Sequence, residues 1–397
     1  MQEALQLEQV LHLEADVCIV GGGVMGAATA YAISRMTEKK VILLDRYGLG
    51  NEYCSSNDVN RVFRYAYGND LYYTKMAIES LGLWREIEKE SRQELLISTG
   101  LLMLEGEDQH ANEFNESSFN TLTKLGLGAK LYEGPELKKR FPQFRARRGF
   151  FDPHGGVLLA SKCLETMASQ ARAKGTRILE KHVTAFRDRS GLEIETSEGQ
   201  TIRAQKLVVT VGPWSNGFLK NGFTSITPTR QQVVYLRPSG DIEKFRPTSC
   251  PVFFTDHHYG LPAAGIDGVK ISNKELIDPA DPEIASRLVD QEQIEQSRAA
   301  CRKFIPDLAD GEVVKSKVCF YDMTANSDFV VDRDPEDSDI VYGYGFSGHG
   351  FKFAPLVGRL LAELVLDRDP SFDLTRFSSR NSDRKPQVTR GHLGKGE

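Results

Sequence analysis

The feature that most constrains this chain is a turn of three glycines between an apolar run and a helical pattern. Residues 17–20 are apolar, and Gly21, Gly23 and Gly26 then follow the G-x-G-x-x-G spacing of a dinucleotide-binding βαβ unit. In such units the first glycine makes the tight turn, the second lets a pyrophosphate approach the backbone, and the third lets the helix pack on the strand. The spacing therefore predicts a dinucleotide site, although an isolated glycine pattern can also be a plain loop.

The residues that follow favour the dinucleotide site. The helix starts near Val24 and Met25, where backbone N–H groups and the positive end of the helix dipole would face the phosphates. A second apolar run, residues 41–44, ends in Asp45, which stands where these units place the carboxylate that binds a ribose. We expect Asp45 and its neighbour Arg46 to contact the nucleotide.

Composition restricts the class of protein. The 397 residues are too many for one simple core and predict two domains, or one domain with a large insertion. A net charge of −5 argues against a nucleic-acid partner, and no apolar run is long enough to span a membrane. The six cysteines are scattered without a C-x-x-C pair, which favours free thiols in a reducing compartment over disulfides or a metal site. Since the N-terminal stretch also lacks a signal-peptide core, the sequence predicts a cytoplasmic protein.

The order of element types predicts a mixed fold, part α/β and part α+β. Buried strands and helices of the βαβ kind recur along the chain, whereas strand runs with one amphipathic helix, residues 291–304, indicate an antiparallel sheet. We predict a discontinuous Rossmann-like nucleotide-binding domain, an antiparallel-sheet substrate domain and a flexible tail. The predicted ranges are 15–93, 149–220 and 325–385 for the first, 94–148 and 221–324 for the second, and 386–397 for the tail.

A second glycine-rich loop lies near the end of the chain. An apolar strand over residues 340–345 leads into the loop 345–353, and a helix over residues 355–367 follows. A strand, a glycine loop and a helix N-terminus together make a second anion-facing site. Two such sites suit a ligand with two ends, one a phosphate bridge and the other a ring that becomes negative.

Two arginines, Arg61 and Arg64, stand three positions apart among aromatic residues. On a helical turn this spacing would put both on one face. The alternative is a pair of surface arginines, and the spacing alone leaves both interpretations open.

Four motifs give the chain a resemblance to a known family. They are the glycine turn with Asp45, residues 61–68 (Arg-Val-Phe-Arg-Tyr-Ala-Tyr-Gly), residues 317–321 (Lys-Val-Cys-Phe-Tyr) and the loop 345–353. Over nearly its whole length the chain resembles the flavoprotein amine oxidases of the monomeric sarcosine oxidase and N-methyltryptophan oxidase type, in the D-amino-acid-oxidase-like group. The resemblance implies that the cofactor is FAD and that the Rossmann-like domain binds it.

The same resemblance implies a thioether bond between the flavin ring and Cys319. From the sequence alone, a single cysteine in Val-Cys-Phe would be a small core residue, which is what we expect for Cys18 in the first strand. Arg61 would be a cation held against the flavin. The residues that the resemblance and the motifs assign to FAD are Gly21, Gly23, Val24, Met25, Gly26, Asp45, Arg46, Ser55, Arg61, Val183, Gly212, Cys319, Gly348, Gly350, Phe351 and Lys352.

The resemblance also implies the reaction. Family members oxidise a secondary or N-substituted amine next to a carboxylate, and Arg64 and Lys352 match the positions that bind the carboxylate. Arginine can bond a carboxylate in two places, while lysine adds a point charge. Lys270 matches the lysine that helps oxygen react with the reduced flavin, and the alternative is a strand lysine with its ammonium in solvent. With Arg61, these three residues form the predicted catalytic set.

One segment departs from the sarcosine oxidase pattern. Those enzymes carry a histidine pair before the arginine that matches Arg61, whereas this chain has Asn-Asp-Val-Asn at residues 57–60. This run is similar to fructosyl-amino-acid oxidases (amadoriases) and to saccharopine oxidases. Lys274 stands near the place where sarcosine oxidases have another active-site histidine. Both differences favour an N-substituent bulkier than methyl.

The leading interpretation is an FAD-dependent oxidase that acts on the C–N bond of an N-substituted amino acid and reduces oxygen to hydrogen peroxide. Its expected partners are the small-molecule amine and oxygen, without nucleic acid or membrane, and a monomer is the expected state. The alternatives are an amadoriase or a saccharopine- or pipecolate-type oxidase, and a dehydrogenase or nucleotide-modifying flavoprotein on the same fold. A flavin-binding protein without activity is a further alternative, against which the presence of Arg64, Lys270 and Lys352 argues.

Overall fold

The computed structural model describes residues 13–188, 191–219, 223–274 and 279–379. The predicted tail, residues 386–397, lies outside these ranges. None of the helices within them is long and apolar enough to cross a membrane. The strands are β1 (Leu13–Val20), β2 (Val41–Asp45), β3 (Asn60–Phe63), β4 (Leu96–Ser98), β5 (Leu101–Leu104), β6 (Lys130–Glu133), β7 (Arg148–Asp152), β8 (Gly156–Leu159), β9 (Arg177–Glu180), β10 (Val183–Asp188), β11 (Leu192–Thr196), β12 (Thr201–Val209), β13 (Thr227–Arg237), β14 (Val252–Phe254), β15 (His258–Leu261), β16 (Val269–Asn273), β17 (Glu312–Met323), β18 (Val330–Arg333) and β19 (Ile340–Tyr344). The helices are α1 (Val24–Met36), α2 (Leu71–Ser91), α3 (Gln109–Lys124), α4 (Gly134–Arg140), α5 (Ala160–Ala173), α6 (Gln291–Phe304) and α7 (Ala354–Val365).

The chain divides into two compact units. The described parts of unit 1 lie within Met1–Asn57, Cys163–Thr227 and Asp322–Arg384, and those of unit 2 lie within Asp58–Lys162 and Pro228–Tyr321. These boundaries differ from the predicted domains, since β3 and β8 pair with each other and fall in unit 2. The division into an FAD-binding domain and a substrate domain at the predicted residues stays a prediction.

Unit 1 is built on a parallel sheet. Strands β12, β1, β2 and β9 pair in this order, and each pair is parallel. The strand residues are apolar on both faces, as the buried residues 41–44 of β2 show, and this is the pattern of a sheet covered on both sides. Strand β19 pairs in parallel with β12, while β10, β11 and β18 add antiparallel pairs. The predicted Rossmann-like architecture is confirmed.

Unit 2 contains a large sheet in the order β17-β13-β16-β15-β14-β5-β7-β6 and a small sheet, β3-β8-β4. In the large sheet the pairs of β16 with β13 and β15 are antiparallel, whereas β14 and β5 are parallel. The predicted antiparallel sheet is therefore present with one parallel pair inside it. Helix α6 has the bounds that its amphipathic pattern predicts.

The two faces of the large sheet differ in character. One face is apolar and packs in a core with α6, which contributes Ile294, Cys301 and Phe304. In β13, Val234 and Leu236 belong to this core, so the alternate residues of the strand lie on the other face. We call that other face the polar face. Its members include Tyr235, which is in register with Lys270, and Tyr259, which is in register with Ser272.

The helical turn considered for Arg61 and Arg64 is wrong. Residues Asn60–Phe63 form the strand β3, which pairs with β8 in an antiparallel register. Valine, phenylalanine and the tyrosines around the two arginines favour extended backbone, and this preference outweighs the helical spacing.

Candidate active site

The glycine turn of unit 1 has the geometry of a nucleotide cradle. Gly21 has a φ of 101°, which favours glycine, and its N–H donates to the Leu44 carbonyl at 2.8 Å. A Cβ on Gly26 would overlap the Gly21 carbonyl oxygen, so only glycine lets α1 start so close to β1. Helix α1 begins at Val24, directly followed by Met25, and the N-cap Gly23 offers no side chain to cover the N–H groups. Apart from the Val24 N–H, which donates to the Ser56 hydroxyl, no side chain of the N-cap covers the helix start, where a pyrophosphate would lie.

Asp45 holds this turn in place. Its Oδ2 accepts a hydrogen bond from the Gly22 N–H at 2.7 Å, and its Oδ1 accepts one from the Tyr47 N–H at 2.9 Å. Burial raises the pKa of Asp45, and the two backbone donors oppose that rise. The neighbouring guanidinium of Arg46 lies over the Tyr47 ring, 4.8 Å from its centroid. Asp45 therefore supports the turn from within, in addition to the ribose contact expected of it.

Three further residues predicted to contact FAD lie in unit 1, two at element boundaries and one in the loop between β2 and β3. Val183 is the buried first residue of β10, and Gly212 starts the 3₁₀ turn Gly212–Gly217 after β12. Ser55 precedes Ser56, whose hydroxyl accepts a hydrogen bond from the Val24 N–H at 3.0 Å. The sequence analysis did not single out Ser56, although it is the serine that meets the start of α1.

The second glycine-rich loop is fixed by a buried acid that the sequence analysis missed. The Asp322 carboxylate accepts a hydrogen bond from the Phe346 N–H at 3.0 Å, and the Asp322 carbonyl accepts one from Ser347 at 3.2 Å. Burial raises the pKa of Asp322 to about 6, against the backbone donors around it. These contacts hold the segment that carries Gly348 and Gly350, two of the predicted FAD contacts.

Lys352 follows this loop in the 3₁₀ turn Phe351–Phe353 and is only 4% exposed. Its Nζ donates to the His349 carbonyl at 2.7 Å and lies 4.8 Å from the centroid of the Phe353 ring. The bond to the His349 carbonyl fixes the orientation of this side chain from within its own loop.

A buried charged cluster is the main polar feature of unit 2. Lys270 Nζ donates to Asp58 Oδ2 at 2.6 Å, and Arg61 forms a second ion pair with the same oxygen. The Tyr235 hydroxyl donates to Asp58 Oδ1 at 2.6 Å. Both cations also donate to the Asn60 carbonyl, each at 3.0 Å. We call Asp58, Asn60, Arg61, Tyr235 and Lys270 the charged cluster.

The charged cluster is almost fully withdrawn from solvent. The side chains of Lys270 and Asp58 are 1% and 2% exposed, and that of Arg61 is 18% exposed. The interpretation of Lys270 as a strand lysine in solvent is therefore wrong. Lys270 and Arg61 bring two positive charges to one carboxylate, so the cluster has an excess of one positive charge when both are protonated. Such a site can stabilise negative charge that develops nearby.

The pKa values in the cluster follow from burial and from the shared carboxylate. Burial alone would raise the pKa of Asp58, but Lys270 and Arg61 hold it well below its usual range. Burial lowers the pKa of Lys270 to about 8, although the Asp58 carboxylate opposes this shift. For Arg61 the attraction of Asp58 outweighs burial and raises the pKa above its usual value. Lys270 is thus the member that can lose its proton near neutral pH.

Cys319 lies electrostatically close to this cluster, on β17. Burial raises the pKa of its thiol, and the positive charge of Arg61 lowers it. Cys18, by contrast, is fully buried in β1, where burial raises its pKa to about 12 without any opposing charge. Of these two cysteines, only Cys319 has a cationic neighbour that favours the thiolate.

Two tyrosines that the sequence analysis missed complete the surroundings of Cys319. The hydroxyl groups of Tyr259 and Tyr321 are hydrogen-bonded to each other, and burial raises the pKa of both. The Tyr259 ring stacks on Phe254 with centroids 5.5 Å apart. The tyrosines are spread over β15 and β17, so their meeting depends on sheet register that local sequence does not reveal.

Arg64 is buried against aromatic rings, and the interpretation of a surface arginine pair is wrong. It is 1% exposed, with its guanidinium 4.1 Å from the Tyr67 centroid and 5.7 Å from that of Phe254. The buried carboxylate of Asp152 accepts the Tyr65 N–H at 3.3 Å and acts electrostatically on Arg64. A desolvated guanidinium next to aromatic walls is suited to bind a planar anion.

Comparison with known proteins defines the family. The chain matches the FAD dependent oxidoreductase (DAO) family over residues 16–364. It is 31% identical over 376 residues to the monomeric sarcosine oxidase of Bacillus sp. (strain B-0618), covering 91% of this chain and 95% of that protein. It is also 31% identical over 392 residues to the peroxisomal sarcosine oxidase of Homo sapiens, covering 95% of this chain and 98% of the relative.

The fold also occurs in solved structures. The fructosamine oxidase Amadoriase II of Aspergillus fumigatus superimposes with a TM-score of 0.82 at 20% identity, covering 96% of this chain and 94% of that one. At this identity the likeness concerns the fold alone.

The parallel sheet, the glycine turn and Asp45 define a dinucleotide-binding oxidoreductase fold. The chain belongs to the FAD dependent oxidoreductase family, and its predicted resemblance to sarcosine oxidases is confirmed. FAD is the cofactor of this family. The cradle fits it, because glycine stands where a Cβ would block the backbone and Asp45 stands at the end of β2, where folds of this kind bind a ribose.

Proposed function

We propose that this protein is an oxidase of N-substituted amino acids that produces hydrogen peroxide. The observation that carries the proposal is the charged cluster, in which the buried Lys270 and the partly buried Arg61 share the single carboxylate of Asp58. Its excess positive charge suits a step in which oxygen gains electrons. Family membership and the similarity to sarcosine oxidases support the amine as the electron source.

The overall reaction balances without any further reagent. The C–N bond of the amine loses two electrons and two protons to become an imine, which water hydrolyses. Oxygen gains the two electrons and two protons and becomes hydrogen peroxide. When bound, FAD supplies the redox chemistry between these two halves, and the protein orients the substrate and tunes the charge.

In this proposal Lys270 serves the oxygen step. Its ammonium is held at Asp58 and at the Asn60 carbonyl, so its position is fixed before oxygen arrives. A preorganised cation of this kind lowers the cost of negative charge on oxygen, and burial strengthens its effect.

We further propose that the flavin is linked covalently to Cys319. The other residues that the resemblance and the motifs assign to FAD are proposed to contact it without a covalent bond. The resemblance at residues 317–321 carries this assignment. The positive charge of Arg61 acts on the thiol and favours its thiolate, although burial has the larger effect and leaves the pKa of Cys319 raised.

Arg64 and Lys352 are proposed to bind the substrate carboxylate. Both side chains are buried and held by local contacts, Arg64 by aromatic rings and Lys352 by the His349 carbonyl. Preorganised donors lose little entropy when they bind an anion.

One observation favours a second candidate, an oxidase for amines with bulkier N-substituents. Asp58 and Asn60, which hold the charged cluster together, come from the Asn-Asp-Val-Asn run that is similar to amadoriases and saccharopine oxidases. The structural likeness to Amadoriase II is compatible with this candidate. A dehydrogenase on the same fold would keep the amine chemistry but not the reaction with oxygen.

The experiment that tests the function is a peroxide-coupled screen of the purified flavoprotein over sarcosine, pipecolate, proline, fructosyl-amino acids and saccharopine. The proposal expects peroxide from at least one of these amines in a 1:1 ratio to oxygen consumed. Reduction of the flavin without peroxide would instead identify a dehydrogenase. Absence of reduction by any secondary amine would reject the proposal.

A variant separates substrate binding from chemistry. Arg64→Met should weaken binding of a carboxylate inhibitor by about 1.5–3 kcal/mol, because a charge-assisted bond is lost. The inhibitor is titrated against the flavin absorbance. Unchanged affinity would make Arg64 a structural residue.

We also propose a cytoplasmic monomer. The six cysteines are scattered, and all six lie within the described residues without a disulfide, which supports a reducing compartment.

A further inference from the structure

Two buried polar side chains on the polar face of unit 2 have no partner. Gln231 is 1% exposed and Thr229 is 4% exposed. Among the residues that the structure describes, neither Gln231 Nε2 nor Thr229 Oγ1 has a hydrogen-bond partner. Buried polar atoms are nearly always paired, because an unpaired one loses its hydrogen bonds to water without replacement. Two such atoms on alternate residues of one strand point to a ligand that pairs with them.

The direction of these side chains follows from the strand that carries them. Gln232 exchanges hydrogen bonds with the backbone of Asp290, the N-cap of α6, at 2.8 Å in each direction. Val234 and Leu236 also belong to the core with α6. Side chains alternate along a strand, so Thr229 and Gln231 lie on the polar face, in line with Tyr235 of the charged cluster.

The distance along the strand sets the scale of the subsite. Val233 of β13 is in register with Ser272, which in turn is in register with Tyr259. Gln231 lies two residues beyond Val233, about 7 Å at 3.3–3.4 Å per residue. Thr229 lies about 7 Å further. This spacing suits an extended substituent, and it exceeds what a methyl group could reach.

The positive charges on this face indicate which kind of N-substituent it would bind. Arg64 and the Lys274 ammonium lie against the same Phe254 ring, 5.7 Å and 5.9 Å from its centroid. Lys274 Nζ donates to the Thr255 carbonyl at 2.7 Å, which fixes the cation there. The Gln231 amide N–H and the Thr229 hydroxyl can donate to an acceptor group, and cations on the same face favour an acceptor that carries negative charge.

We propose that Thr229 and Gln231 form a subsite for an N-substituent that ends in a carboxylate, so that the substrate class is an N-(carboxyalkyl) amino acid. The inference rests on the proposed function and names the substrate class for it. Arg64 would bind the carboxylate next to the oxidised carbon, and the subsite would bind the second one. Gln231 and Thr229 could also pair with a hydroxylated, sugar-like substituent, since the amide and the hydroxyl accept as well as donate. The cations at Phe254 make the carboxylate the better choice.

Binding of unreactive thioether analogues tests the subsite directly. In (2-carboxyethylthio)acetate and propylthioacetate, sulfur replaces the amine, and a carboxylate in the first compound replaces the terminal methyl group of the second. Each is titrated against the flavin absorbance of the holoprotein. The wild type should bind the dicarboxylate at least about tenfold more tightly, since charge-assisted hydrogen bonds contribute about 1.5–3 kcal/mol each.

Variants then assign this preference to the two side chains. Gln231→Leu should reduce the preference about tenfold or more, and Thr229→Val should reduce it several-fold, because neutral hydrogen bonds contribute less. Gln231→Glu keeps a polar side chain and should reverse the preference by repulsion, which covers the case in which the leucine variant does not fold. Thr227→Val, an exposed threonine of the same strand, is the matched control and should keep the wild-type preference.

The outcomes separate the two proposals. The subsite is rejected if the wild type does not prefer the dicarboxylate, or if Gln231→Leu and Gln231→Glu keep that preference. Oxidation of N-propylglycine by the same protein would show that the proposed function holds without the subsite. A preference for a hydroxylated analogue over the dicarboxylate rejects the carboxylate class. If no secondary amino acid reduces the holoprotein, the proposed function itself fails, and the subsite fails with it.

Discussion

The glycine turn of unit 1 and the charged cluster of unit 2 differ in how they are assembled. The turn is one stretch of chain, Gly21 to Gly26, and its contacts are made by backbone atoms. The cluster joins Asp58 to Lys270, 212 positions apart, through side-chain charges. A backbone site is therefore damaged by adding a methyl group, whereas a side-chain site is damaged by removing a charge. This difference yields four predictions.

The largest effect is expected at Cys319, because a covalent bond is either present or absent. Cys319→Ser should lose all flavin on denaturation, whereas the wild type should keep it. The measurement is flavin absorbance in the acid-precipitated protein. Cys301→Ser is the control, since Cys301 lies in the core around α6. Retention of covalent flavin by Cys319→Ser would place the link elsewhere.

The next effect is the loss of a charge from the cluster. Lys270→Met should slow reoxidation of the reduced protein by about 10²–10³, the usual cost of removing a preorganised electrostatic group. Reduction by substrate should change much less, because Arg64 and Lys352, not Lys270, are proposed to bind the carboxylate. Stopped-flow kinetics of the two half-reactions measures both. Equal slowing of both steps would move Lys270 from the oxygen step to substrate binding.

The backbone site should respond to one added methyl group. Gly26→Ala forces a Cβ against the Gly21 carbonyl, so FAD affinity or folding should lose about 1–3 kcal/mol, typical of overpacking. The ratio of bound flavin to protein and the thermal midpoint report the loss. In Gly217→Ala the Cβ meets open space, and wild-type values are expected. Equal behaviour of the two variants would contradict the close packing at Gly26.

The smallest effect is the dependence of the oxygen step on pH. Lys270, beside Asp58, Arg61 and Cys319, has its pKa lowered to about 8. If the charged form is required, the reoxidation rate should be level below about pH 7, be halved near pH 8 and fall roughly tenfold between pH 7 and pH 9. Lys270→Met should lack this fall. A rate that rises with pH in the wild type would mean that neutral Lys270 is the active form.

The sequence predicts the local parts of the molecule better than the assembled ones. The glycine turn, Asp45 and helix α6 could be predicted because spacing and periodicity act over a few residues. The partners of Lys270 could not, since Asp58 and Tyr235 reach it only through the register of β13 and β16. The strand around Arg61 was not predicted, because the spacing of Arg61 and Arg64 is that of a helical turn. The residues around them favour extended backbone, and this preference decides the structure. Tyr259 and Tyr321 carry no motif at all, and only the sheet brings them together.

Strand β13 also bears on how the enzyme could change its substrate over time. Gln232 is tied to α6 and Gln231 is not, although they are neighbours in the chain. A mutation of Gln232 would therefore alter the stability of unit 2, whereas a mutation of Gln231 would alter the recognition of the substrate. Selection or a library restricted to alternate residues of this strand could therefore explore new amines without loosening the packing of unit 2.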